Sequence, residues 1–278
     1  LKPLYRVLLD VFGPVPWPSA QFNYKYILGF VDEATGMRWV FGAKTHTTEV
    51  VIAMMQKLRA SLRLLRPDLS IDIVRTDGAP ENRSAAWREY LIDSDMLHEE
   101  SVAYDATQMG AAENTWGINV PPAAAMLAMS GMSKLHWWSA VRYKVILGTL
   151  VNSTVTTMHK TKEHTSAFFR FFRVWPCGDN LHAYSAPVRY HLDPSQRDSK
   201  FDEKAEAGFY VGPSPENPNE KWVWNGRAHV SVGGAHVVDE SRFTKPLSKP
   251  PASLPTWPFP PSATAPPKPP VPPTHAPA

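Results

Sequence analysis

The chain has 278 residues, 43% of them hydrophobic and including ten Trp and twelve Phe, which is material for one large domain or two small ones plus a tail. That composition excludes a wholly disordered chain. A net charge of only +3 excludes a general polycation, so any grip on nucleic acid has to come from local basic patches.

The single cysteine, Cys177, excludes an intrachain disulfide framework and argues against a Cys-based zinc site. It reads as a small buried residue in a reducing, intracellular setting. No run reaches ~18 apolar residues, so no membrane span is expected. The opening Leu1-Lys2-Pro3-Leu4 is neither an initiator Met nor a signal peptide, and reads as an internal cut from a longer polypeptide.

Residues 4–12 (LYRVLLDVF) are apolar and β-prone, and Gly13-Pro14 breaks that strand. Residues 26–31 and 38–43 read as a second and a third strand, joined by a hairpin link at 32–37. A helix capped by Thr47 or Thr48 runs to about Arg66, with Val51, Met54, Met55, Leu58, Leu62 and Leu65 at helical spacing. Residues 71–76 form a short strand ending at Asp77-Gly78, 85–92 a short helix and 96–99 a short strand. A helix starts near Ala111. Pro121-Pro122 is expected to interrupt or end it, because proline lacks the donor and clashes with the preceding turn.

Further helices are expected over 134–151 and 165–172. From Val174 short β-like runs alternate with Pro, Gly and Asn turns, the texture of a small β module. Fourteen of the 28 prolines lie at Pro246 or later, and Lys268 is the one charge in the last 28 residues. That composition favours extended polyproline II and disorder, read as a plain linker, with a partner-binding proline motif as the alternative. The expected organisation is a mixed α/β core over 1–125, a helical bridge over 126–173, a β-rich module over 174–242 and a proline-rich linker over 243–278.

Three carboxylates stand where such a core would expose them together. Asp10 lies near the end of the first strand, Asp77 directly follows the fourth and Glu113 starts a helix. If the first and fourth strands are neighbours, both aspartates emerge at one edge and the helix brings Glu113 across. Magnesium favours a few carboxylate oxygens plus water and phosphate. Two such ions about 3.5–4 Å apart can stabilise the attacking and leaving oxygens of an in-line phosphoryl displacement.

The local contexts resemble the integrases of copia-type retrotransposons, which share the ribonuclease H-like fold of retroviral integrases. Asp10-Val11-Phe12-Gly13-Pro14 is similar to the first-acid motif of that family, and Phe30-Val31-Asp32 to the end of its second strand. Arg75-Thr76-Asp77-Gly78-Ala79-Pro80-Glu81 is similar to the second-acid motif, and Gln108-Met109-Gly110-Ala111-Ala112-Glu113 to the third. Thirty-five residues separate Asp77 from Glu113, a spacing characteristic of integrases. Past the core, Leu135-His136-Trp137-Trp138-Ser139-Ala140, Val174-Trp175-Pro176-Cys177-Gly178, residues 199–205, Gly208-Phe209-Tyr210-Val211-Gly212 and Val237-Val238-Asp239-Glu240 resemble later family segments in order.

The resemblance implies a ribonuclease H-like mixed five-stranded sheet with flanking helices. It implies an Asp10, Asp77, Glu113 triad holding two Mg²⁺ or Mn²⁺ ions, 3′-end processing and strand transfer. It also implies DNA partners (element ends and target), a homo-oligomer without a membrane, and a nuclear or virus-like-particle setting. The chain departs from the pattern in two places. Asp77-Gly78-Ala79 stands where the family has Asp-Asn-Gly, and Asn114-Thr115-Trp116-Gly117 follows Glu113 where relatives carry basic residues. The alternative readings are a decayed or domesticated integrase fold that only binds nucleic acid or self-associates, and a nuclease of the same fold.

Other polar groups carry plainer expectations. His46, His98, His136, His159, His164, His182 and His191 show no metal-ligand spacing and read as surface or core residues. Lys57, Arg59, Arg63 and Arg66 read as a solvated helix face, with contact to phosphates as the alternative. Arg142, Lys144, Lys160 and Lys162 form a candidate DNA patch. Trp222 and Trp224 alternate as packing residues on a strand.

Overall fold

The structure is a computed structural model that describes residues 2–101, 106–156, 162–197, 199, 203–217 and 219–243. Three strands open the chain: β1 (Arg6–Phe12), β2 (Tyr26–Asp32) and β3 (Arg38–Ala43), paired as an antiparallel meander. The β2–β3 turn is set by Asp32. Its buried carboxylate accepts from Leu4 N at 2.9 Å, Thr35 N at 3.2 Å and Thr35 Oγ1 at 2.5 Å. This acid therefore has a structural task.

Helix α1 (Thr48–Leu65) lays Val51, Met55, Leu58 and Leu62 onto the sheet, the face its periodicity predicts. It leads into β4 (Ile73–Thr76), then a 3-10 turn at Pro80–Arg83, helix α2 (Ala85–Asp93) and β5 (Leu97–Glu100). The Ser84 hydroxyl caps α2 by accepting from Trp87 N at 3.1 Å. The five strands form one sheet in the order β3-β2-β1-β4-β5, with β1, β4 and β5 parallel. This is the expected mixed five-stranded sheet with flanking helices. The period of two divides β1 between two layers. Val7 and Leu9 join the core under α1 and α2, and Phe12 joins a second core on the opposite face.

That second core is built by α3 (Ala106–Ser130), which corrects the expectation of a helix stopped at Pro121-Pro122. Proline at 121 and 122 deprives the carbonyls of Gly117 and Ile118 of their helical donors. Both residues are exposed, so water can take the place of those donors. On the other side of the helix Trp116, Val120, Ala123 and Leu127 are buried at i, i+4, i+7 and i+11. The losses fall on the wet face and the anchors on the dry one.

Helix α4 (Trp137–Leu150) follows a 3-10 turn at Lys134–His136 and packs along α3. A hairpin of β6 (Asn152–Thr156) and β7 (Lys162–Ser166), absent from the sequence reading, precedes the short helix α5 (Ala167–Phe172).

The remaining strands are β8 (Pro187–His191), β9 (Ala205–Pro213), β10 (Lys221–Trp224), β11 (His229–Val232) and β12 (His236–Val238). They form an antiparallel sheet in the order β11-β10-β9-β8-β12. Its inner residues Val188, Tyr210, Val211 and Trp222 share one hydrophobic cluster with Trp116 of α3, with Trp138 and Tyr143 of α4 and with Phe12 of β1. Cys177 is exposed, contrary to its expected burial, because it lies in an irregular stretch between α5 and β8. No helix among the described residues is long and apolar enough to cross a membrane. The proline-rich run from 244 onward lies outside the described residues.

Candidate functional site

The parallel pairing of β1 with β4 sets Leu9 opposite Thr76, so Asp10 and Asp77 come next on their strands. Adjacent strands lie ~4.8 Å apart, which brings the two aspartates out side by side at the C-terminal edge of the sheet. Parallel strands end at the same side of a sheet, and side chains from two distant segments converge there without a special loop.

Asp10 is half-buried, and its Oδ2 accepts from the indole Nε1 of Trp116 on α3 at 2.8 Å. The indole lies over Gly29, the β2 residue paired directly with Asp10. A Cβ at Gly29 would stand 2.6 Å from the ring, so glycine is required for the indole to reach the carboxylate. The same ring meets Phe12 with centroids 5.3 Å apart. Glu113 lies on α3 three residues before Trp116, on a neighbouring position of the helix face. Its side chain lies outside the described residues.

Asp77 is exposed, and its Oδ1 accepts from Asn82 Nδ2 at 2.8 Å and from Ala79 N at 3.2 Å. Asn82 sits in the 3-10 turn and is 1% exposed, so its amide has a fixed direction. Behind Asp77, His98 Nε2 lies 2.9 Å from Thr76 Oγ1. Burial lowers the pKa of that imidazole and favours its neutral form. At the rim Arg83 pairs with Glu100 beside Gly78.

Trp116 and Asn82 are the site residues that motif reading missed. Each carried a positional signal: Trp116 follows Glu113 by one helical turn, and Asn82 follows Asp77 within a tight turn.

The donors suit a hard divalent cation, which takes carboxylate oxygens rather than sulfur or imidazole. One oxygen of Asp10 and one of Asp77 are oriented by fixed N–H donors, the kind of outer bonding that positions metal-binding carboxylates. Among the described residues no group of three or more His, Cys, Asp or Glu side chains is placed to hold a metal ion. The described part thus brings two of the three expected ligands together.

The expected basic patches fare differently. Arg142 is withdrawn from the proposed DNA patch. Its guanidinium stacks over Trp222 at 5.5 Å and donates to Pro213 O at 2.6 Å, and burial pulls its pKa down to about 10. Lys144 is half-buried, with its pKa lowered by burial and by the charge of Arg38. Lys160 and the side chain of Lys162 lie outside the described residues. On α1, Lys57 and Arg63 are solvated as expected, whereas Arg59 donates to Ser94 Oγ at 2.5 Å and Arg66 pairs with Asp68 at 2.7 Å. Trp222 is buried and stacks on His229 with centroids 4.4 Å apart, a packing role.

No protein-family model matches the chain. The retrovirus-related Pol polyprotein from transposon TNT 1-94 of Nicotiana tabacum is 26% identical to it over 216 residues, covering 76% of this chain. The chain is homologous to a retrotransposon Pol polyprotein. It spans 15% of that polyprotein's length.

Two solved structures are similar in shape. One is the simian T-cell lymphotropic virus intasome in complex with PP2A regulatory subunit B56 gamma. It has a TM-score of 0.49 at 13% identity, over 84% of this chain and 77% of that one. The other is the catalytic core domain of BIV integrase, with a TM-score of 0.44 at 9% identity, over 61% of this chain and 94% of that one.

Proposed function

We propose that this retrotransposon-related chain is an integrase core that joins element DNA ends to target DNA. The observation that carries this reading is the register of two neighbouring parallel strands, which pairs Leu9 with Thr76 and so puts Asp10, near the end of β1, beside Asp77, just past β4. Asp10 and Asp77 would hold a divalent cation, Mg²⁺ or Mn²⁺, with Glu113 of α3 completing the set for two ions. When bound, such ions act as Lewis acids toward a phosphodiester and its nucleophile.

The protein's own part is positional. Trp116 fixes one oxygen of Asp10, Asn82 fixes one of Asp77, and the docking of Trp116 over Gly29 holds α3 across the sheet edge. Self-association of several copies on two DNA ends is part of the same reading.

One observation favours a second reading, a decayed core that only binds nucleic acid or self-associates. The Trp116 N–H already occupies Asp10 Oδ2, where a cation would otherwise find a lone pair. An assay with Mg²⁺, a duplex carrying an element end and a supercoiled target separates the readings. Joined products that vanish in Asp10→Ala support the integrase. Cleavage without joining supports a nuclease, and DNA retention without either product supports the decayed core.

A further inference from the structure

A cavity of about 560 Å³ opens between the end of α3, α4 and residues 181–184. Its floor is the stacked pair Tyr143 and Tyr184, with centroids 6.1 Å apart and both rings buried. Met126, Met129 and Leu147 line it, and Met129 is 68% exposed. Glu240 stands at its rim, 3.2 Å from His182 Nδ1 and accepting from Ala183 N at 3.0 Å. Flexible methionines beside an aromatic floor adapt to an apolar guest.

The chain carries a suitable guest close by. Glu240 opens the last described turn, Glu240–Phe243, and the proline-rich run follows directly. Polyproline II has three residues per turn, so residues three apart share a face. Pro251, Leu254, Trp257 and Pro260 recur at that spacing, so such a helix would place them on one apolar face, with Ser253, Thr256 and Phe259 on another. Residues 251–260 carry no charge, which matches the apolar part of the lining, Met126, Met129, Leu147, Leu181 and Ala183. Leu254 stands eleven residues past Phe243, a reach of up to ~34 Å at ~3.1 Å per residue. That is ample to return to a groove whose rim is Glu240. Proline-rich segments dock in aromatic-floored grooves at little ordering cost, and a short tether supplies a high effective concentration.

We propose that residues 251–260 of this chain dock in its own groove, with Leu254 and Trp257 facing Met126, Met129 and the tyrosine floor. The inference is independent of the catalytic reading, since it uses none of the acids.

The test uses the full chain with ¹³C-labelled methionine methyls, Met126 and Met129 being assigned by Met→Leu variants. Trp257→Ala and Leu254→Ser are compared with the unmodified chain, since neither residue belongs to the described hydrophobic clusters. Docking predicts that Met126 and Met129 show ring-current shifts that do not vary with protein concentration. Trp257→Ala abolishes those shifts, Leu254→Ser reduces them, and the other methionines do not respond. Identical Met126 and Met129 shifts in all three proteins would overturn the proposal. So would shifts that grow with concentration, which would place a second copy in the groove.

Discussion

In the first sheet Asp10, near the end of β1 and half-buried, and Asp77, just past β4 and exposed, stand side by side on two parallel strands. In the second sheet polar side chains are drawn inward instead. His229 is nine-tenths buried between Trp222 and Trp224, and Lys221 is 5% exposed with its ammonium on Asn180 Oδ1 at 3.1 Å. The guanidinium of Arg142 on α4 lies over Trp222 of the same sheet. An edge leaves carboxylates within reach of solvent. An interior either satisfies a polar group or holds it neutral, and makes it a packing element. Direction of pairing underlies the difference, because parallel strands bring their ends together while an antiparallel meander scatters them.

The largest effect expected from breaking this contrast is in the second sheet. Trp222 supports Phe22, His229 and Arg142 at once, so Trp222→Ala should cost about 3–5 kcal/mol in denaturant unfolding. A loss below about 1 kcal/mol would show that the second sheet is not part of the common core.

The buried imidazole gives the next effect. Burial, with the neighbouring charge of His136, lowers the His229 pKa to about 4, against ~6.5 unfolded. Its folded pKa is depressed, so the unfolded state binds the extra proton between those values. Stability is full above pH ~6.5 and falls as the pH drops to about 4, by roughly 3 kcal/mol in all. Burial lowers the His136 pKa as well, which acts in the same direction. His229→Gln should flatten this slope in urea unfolding measured across that range, and an unchanged slope would assign it elsewhere.

At the first sheet, Gly29→Ala should cost about 1–3 kcal/mol, because its methyl meets the Trp116 ring. The same change should raise the solvent exposure of the indole in fluorescence quenching. Trp116→Phe is milder, keeping a ring while deleting the donor to Asp10. If the bond orients Asp10, Mn²⁺ binding by calorimetry weakens about tenfold, the low end for lost outer bonding. Tighter binding would mean that Trp116 competes with the cation, and would favour the decayed core.

The first sheet was readable in the sequence because its segments are strongly patterned. Residues 26–31 and 38–43 are apolar runs with turn residues at their ends, and α1 repeats its apolar face over five turns. Asp10 and Asp77 were readable through their flanking motifs, and their proximity followed once β1 and β4 paired. The passage of α3 through Pro121-Pro122 was not readable. It depends on which side of the helix faces water, which only packing decides. Arg142 looked available for the same reason, since nothing local announces the indole that covers it. The β6–β7 hairpin has a polar sequence, Asn-Ser-Thr-Val-Thr opposite Lys-Glu-His-Thr-Ser, without the apolar alternation that marks a half-buried strand. Trp116 reaches Asp10 across 106 residues of sequence, information that short-range patterns do not contain, whereas Asn82 stands only five residues past Asp77, within the range of a local reading.

The central claim is that two edge carboxylates gather a divalent cation. Titrating the ¹⁵N-labelled chain with Mn²⁺ tests it most directly, because paramagnetic broadening reports where the ion sits. The account predicts early loss of the amide signals of Val11 and Gly78, reversed by excess Mg²⁺ and absent in Asp10→Asn/Asp77→Asn. Broadening that spares Val11 and Gly78, or that persists unchanged in the double variant, would contradict it.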